Sequence, residues 1–199
     1  MHFTAMMSEL LPTMAPLAEK GKVFLEIDSW EVGIQNWTPG FQEEFLQHAG
    51  YDLTNYLPAM TGRVVGSAEI SDRFLWDLRR TQADLVADNY YGHFDKLCKT
   101  HGFSSINEPY ENGPFEELQI SSRVDYSIGE FWSGLSTWFQ HNYAHRRTTK
   151  LCASVAHVYG KKIVGAEAFT AEAPSGKWQE YPFALKALGD KYFTEGLAR

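Results

Sequence analysis

Four glutamates stand out by type and place. Glu31, Glu108, Glu130 and Glu167 each follow a short apolar run, and Glu31, Glu130 and Glu167 have an aromatic neighbour. The runs are VFLEIDSWE over Val23–Glu31, SIGEFW over Ser127–Trp132 and KIVGAEAFT over Lys162–Thr170, with Asn107-Glu108-Pro109 closing a fourth. An apolar run that gives way to polar residues reads as a buried strand emerging at a sheet edge. In parallel α/β folds ligands sit at those C-terminal strand ends. Converging carboxylates suit glycosidic bond cleavage. One protonated acid gives its proton to the leaving oxygen, while a second, ionised, activates water or attacks the anomeric carbon. Burial and mutual repulsion separate their pKa values and so assign the roles. A single Glu of this kind reads equally well as a solvated loop residue or a helix cap; the recurrence argues for a site.

The elements that must position these residues alternate. A helix over Met6–Ala18, interrupted by Pro12 and Pro16, precedes a strand over Lys22–Ile27. A short helix spans Gly40–Ala49, Tyr51–Gly66 reads as loop, and the longest helix runs over Asp72–Thr100 with Ser71 or Asp72 as its cap. Strands follow at Phe103–Ile106 and Ile120–Ile128, then a helix over Thr148–Tyr159 and a strand over Lys162–Ala166. A helix over Tyr181–Leu188 and the approach to another strand over Tyr192–Leu197 complete the chain. Strands alternating with helices argue for a parallel sheet with helical crossovers. Four strands are half of an eight-stranded barrel, so residues 1–199 are expected to form a single partial (β/α) barrel catalytic domain within a longer polypeptide.

Composition narrows the partners. The chain has 199 residues, 44% hydrophobic and 15% aromatic, ample for one packed domain. A net charge of −7 without a marked basic patch argues against nucleic acid. No apolar stretch is long enough to cross a membrane, and the N-terminus lacks the features of a signal peptide. As given, the chain reads as cytoplasmic. Flat aromatic faces such as Trp30 and Trp132 suit the apolar faces of sugar rings. Cys98 and Cys152 read as small buried hydrophobes. His141 and His145 lie four apart, as helical zinc ligands do, but Asn142 follows the first and no third ligand is evident, so both read as exposed helix residues. Asp28, Asp52 and Asp125 are oxygen donors that could join Glu130 around calcium, although capping or ion pairing is the simpler reading for each.

One set of residues points to a family. Asp28-Ser29-Trp30-Glu31, Gly62 after Leu57-Pro58, Glu108-Pro109, Gly129-Glu130-Phe131-Trp132, Ala156-His157 with Gly160-Lys161, and Ala166-Glu167-Ala168-Phe169-Thr170 resemble, in order and spacing, the bacterial α-L-rhamnosidases of glycoside hydrolase family 106. The likeness runs from about Gly21 to the C-terminus. It implies a (β/α)8 barrel, hydrolysis of terminal α-L-rhamnosides with inversion, and a calcium ion near the sugar. Carried over by motif, Glu31 is similar to the general acid and Glu167 to the general base. Glu130 is similar to a further active-site carboxylate tied to calcium or the sugar hydroxyls, and Trp30, Glu108, Glu130 and Trp132 are expected to line the substrate. Family members are longer, carrying earlier barrel strands, β-sandwich domains and usually a secretion signal. The missing barrel half is therefore expected from a parent polypeptide that is periplasmic or secreted, and the isolated chain is expected to expose sheet edges and lack activity. The sequence also ends Leu197-Ala198-Arg199, where an Asn before the Arg would match better.

Two other readings stay open. One is a carbohydrate-binding remnant that keeps the aromatic cleft without catalysis. The other is a retaining barrel glycosidase in which Asn107-Glu108-Pro109 supplies the acid and Glu167 the nucleophile.

Overall fold

The computed structural model describes residues 2–21, 23–110, 112–133, 147–171 and 176–198. The His141–His145 pair and Arg199 lie outside them. Two short helices, α1 (His2–Met7) and α2 (Leu11–Ala18), replace the single N-terminal helix expected. Then follow β1 (Phe24–Ile27), α3 (Phe41–Ala49), a 3-10 helix (Thr54–Thr61), α4 (Ala68–Val86), a π-turn (Ala87–Tyr91) and α5 (Gly92–Thr100). The second half comprises β2 (Ser104–Asn107), α6 (Glu117–Ser122), β3 (Tyr126–Trp132), α7 (Thr148–Tyr159), β4 (Val164–Thr170) and α8 (Pro182–Glu195).

The strands form one four-stranded sheet in the order β1-β2-β3-β4, with every pair parallel. Sequential order with right-handed crossovers puts the connecting helices on one face. Side-chain alternation shows which face that is. Leu25 packs with Met7, Val23, Cys98 and Phe103, and Ile27 with Ala87, Tyr91, Ile120 and Val124. Gly129 lies against the first turn of α7, and Phe131 stacks on Tyr192 of α8 at 4.0 Å. The opposite face carries Phe24, Glu26, Ile106, Tyr126, Ile128, Glu130 and Glu167, none of them fully buried. The Phe24 and Tyr126 rings meet there at 5.9 Å across the intervening strand.

Several sequence expectations need correction. The long helix begins earlier, because Ser67 caps it by accepting from Ile70 N at 3.2 Å, and it is broken into α4 and α5 by the π-turn. Tyr51–Gly66 is not all loop: its centre is the 3-10 helix, with Leu53 and Ala59 joining a separate core of Phe41, Phe45, Phe74 and Leu78. The expected strand over Ile120–Ile128 starts as helix α6, whose Ile120 fills the core under β1, and only Tyr126 onward is strand. Tyr192 belongs to α8, held by its stack on Phe131, so no strand starts there. Cys98 and Cys152 are both buried and unpaired.

The N-terminal end of the sheet is tied by polar groups. Buried Ser105 gives its N–H to Asp125 (3.0 Å) and its hydroxyl to Asp95 (2.6 Å), while Asp125 N donates back to Ser105 Oγ (3.0 Å). Lys99 bridges the two aspartates. Lys161 donates to Ser121 O and Val124 O, and burial lowers its pKa to about 8.

The close approach of α7 to β3 yields a test. A Cβ on Gly129 would stand 2.5 Å from Thr149 N, and the neighbour is backbone that cannot swing aside. Gly129→Ala should lower unfolding free energy by about 2 kcal/mol or more in urea titrations. Gly165→Ala, which meets only the Ile128 side chain, should lower it less. Equal stability of Gly129→Ala and the unaltered chain would contradict this packing.

Candidate active site

The sheet register gathers acids. Glu26 pairs with Ile106, and Ile27 with Asn107, so Asp28 and Glu108 come next on the face away from the helices. Glu130 pairs directly with Glu167 on the same face. Ligand oxygens of Asp28, Glu108 and Glu167 all lie within 4.8 Å of one another. Glu167 and Glu130 fall within β4 and β3 rather than past their ends, because both strands run further than expected.

Glu108 is the enclosed member, only 1% exposed. Its Oε2 accepts from Ser29 N (3.1 Å), an N–H that Asp28 Oδ1 also accepts (2.8 Å). The carboxyl is buried, with Asp28 and Tyr110 both lying against it at hydrogen-bonding range. Burial, reinforced by the Asp28 carboxylate, pushes Glu108 up to about 9, with Tyr110 pulling the other way. The Glu108 carboxyl and the Ser29 N–H hold Asp28 below the ordinary carboxylate range. The pair therefore shares one proton at neutral pH, seated on Glu108. Glu26 is raised by burial and by Asp28 and Glu167.

The other expected residues surround this cluster at different distances. Glu31 is exposed, and its Oε1 accepts from Ser29 Oγ at 3.1 Å; it is not part of the cluster. Trp30 gives its indole N–H to Gly33 O and packs edge-on to Tyr90 and Phe115, each at 5.8 Å. Trp132 donates its indole N–H to Glu130 Oε1. Of the other candidate calcium donors, Asp52 caps Thr54 and Asp125 holds Ser105, so neither reaches the cluster. Sequence reading passed over Tyr110, and it coupled Asp28 to Glu130 rather than to Glu108. A strict period of two from Glu26 to Asp28, and from Glu108 to Tyr110, would have found both.

The chemistry available is a protonated acid, Glu108, grouped with the Asp28 and Glu167 carboxyls, which suits acid–base cleavage and also hard-cation binding. The buried proton has a measurable consequence. Between the ordinary carboxyl value of 4.5 and about 9 the unfolded chain releases its proton while folded Glu108 keeps it. The Glu108 contribution to stability is thus full below 4.5, falls as pH rises through that window, and levels off above it. Glu108→Gln should flatten this part of the stability–pH curve in denaturant titrations, and an unchanged slope would contradict the assignment.

Comparison with known proteins then bears on identity. The family model described as alpha-L-rhamnosidase matches residues 1–199. A protein from Formosa agariphila named "Putative beta-glucuronidase" is 46% identical over 173 residues, covering 87% of this chain and 14% of that one. The solved rhamnosidase from Novosphingobium sp. PP1Y matches with a TM-score of 0.72 and 33% identity, over 86% of this chain and 16% of its own. The chain thus spans about a seventh of the length of these relatives. Its motifs, parallel sheet and full-length match agree: this chain belongs to the alpha-L-rhamnosidase family of glycoside hydrolases, family 106.

Proposed function

We propose that residues 1–199 are one part of a (β/α)8 catalytic barrel that hydrolyses terminal α-L-rhamnosides with inversion. Glu31 donates the proton to the leaving oxygen, and Glu167 activates the attacking water. The observation that carries this reading is the convergence of Asp28, Glu108, Glu130 and Glu167 on one face of a parallel sheet, at and near its C-terminal edge. The barrel is supported by the sequential strand order, with the packed helices on the opposite face. Inversion needs the two carboxyls about 6.5–9.5 Å apart, with room for water between them. The family description and the solved neighbour's name favour rhamnoside; the Formosa relative's name suggests a glucuronide as the competing substrate.

A calcium ion fits the cluster. Its donors are hard oxygens from three carboxyls within 4.8 Å of one another. The sequence points to Glu130 for this ion; Asp28, Glu108 and Glu167 form the more concentrated donor set, with Glu130 adjoining. When bound, the ion would offset the crowded negative charge and orient sugar hydroxyls. The protein's own part is to hold these oxygens together through the Ser29 N–H and the sheet register.

A specific observation also supports the retaining alternative. Glu108 carries a proton, and its oxygens come within 4.8 Å of the Glu167 carboxyl. In that scheme Glu108 is the acid and Glu167 the nucleophile, and Glu31 is dispensable.

Kinetics on p-nitrophenyl α-L-rhamnoside, measured with these residues in the complete barrel, separate these readings. Glu31→Gln and Glu167→Gln should each lower kcat by about 10²–10⁴-fold. Full activity in Glu31→Gln would remove it as the acid, and preference for p-nitrophenyl β-D-glucuronide would overturn the substrate. EDTA should abolish turnover and calcium restore it; indifference to both would remove the ion from the account.

A further inference from the structure

The geometry points to Thr170 as a positioning residue for Glu167, brought to the active face by a one-residue bulge at Phe169. The functional part of this inference rests on Glu167 being the base proposed above.

In a regular strand, residues three apart point to opposite faces. Glu167 and Thr170 are three apart, yet Thr170 Oγ1 donates to Glu167 Oε1 at 2.6 Å. The register explains this. Glu130 pairs with Glu167 and Phe131 with Ala168, but Trp132 pairs with Thr170, leaving Phe169 as an extra residue. That extra residue resets the alternation, so Thr170 rejoins the face of Glu167, Glu130 and Trp132. Bulges are uncommon between parallel strands and recur beside active sites, where they re-aim a side chain.

The backbone at the bulge is held in place from several sides. Phe169 has φ 62°, a left-handed conformation that a bulky side chain rarely adopts. Its ring meets Phe131 edge-on at 4.9 Å on the helix side, and a Cβ on Gly189 of α8 would stand 3.1 Å from the ring. Buried Ser133 lies against both adjoining carbonyls: its N–H donates to Thr170 O (2.9 Å), and its hydroxyl, 3.3 Å from Phe169 O, donates to the Glu180 carboxylate. The aromatic ring is thus drawn away from the acids, and a hydroxyl stands in the position it would have taken. On β3 the Trp132 indole plays the matching part toward Glu130. Each of two register-paired glutamates accordingly takes one hydrogen bond from a residue further along its own strand.

The test uses carboxyl-carbon NMR on the purified chain and kinetics with these residues in the complete barrel. The Glu167 side-chain resonance is assigned by its loss in Glu167→Gln. Thr170→Val should shift that resonance and lower kcat on p-nitrophenyl α-L-rhamnoside about tenfold, with KM within about twofold. Thr170→Ser, which keeps the hydroxyl, should restore both. Where Val does not fold, Thr170→Ala gives the same contrast with Ser, and where no turnover is detected the resonance decides. An unmoved resonance in the variant lacking the hydroxyl would overturn the proposal. A shifted resonance together with full activity in Glu167→Gln would keep the Thr170–Glu167 contact and remove Glu167 as the base.

Discussion

The parallel register of the sheet is the constraint on which the rest depends. Glu130 opposite Glu167, and Ile27 opposite Asn107, determine which residues share a face. Side chains alternate along each strand, so this register brings Glu26, Asp28, Glu108, Glu130 and Glu167 together while sending Leu25, Ile27, Gly129 and Phe131 toward the helices. A slip of one residue would turn every acid into an apolar core. The helix side guards against that slip, since Gly129 admits the backbone of α7 where no side chain would fit.

Crowded acids carry their own penalty, which the protein meets in two ways. Glu108 retains a proton, because ionising it would place a buried charge beside the Asp28 carboxylate. Donors are distributed over the other members: the Ser29 N–H for Asp28, the Thr170 hydroxyl for Glu167 and the Trp132 indole for Glu130. Glu108 and Asp28 are thereby set apart in protonation state, the arrangement that lets chemically similar side chains take different roles.

Much of this was legible in the residues. Alternating apolar runs and helix signals gave the parallel α/β class, and Thr148–Tyr159 is a helix over the bounds expected. The recurring Glu beside an aromatic marked β1, β3 and β4, although Glu130 and Glu167 lie inside their strands rather than past the ends. Other features depended on tertiary context. Ile120 is apolar in a short run and reads as strand, but it serves the core from a helix. Tyr192 is β-prone in isolation and is held in α8 by its stack on Phe131. The Phe169 bulge left no local mark, since Phe is an unusual residue at positive φ, and only the register reveals it. Glu31 was legible as a candidate, and its exposed position bonded to Ser29 carries no sign in the sequence.

The central claim is that Glu167 acts on water rather than on the sugar. The most direct measurement is NMR of the anomeric proton in the first minutes of p-nitrophenyl α-L-rhamnoside hydrolysis by the complete barrel, before the released sugar mutarotates. The account predicts that β-L-rhamnose forms first, the product of inversion. Initial release of α-L-rhamnose would contradict it, and would make Glu167 a nucleophile served by the proton on Glu108.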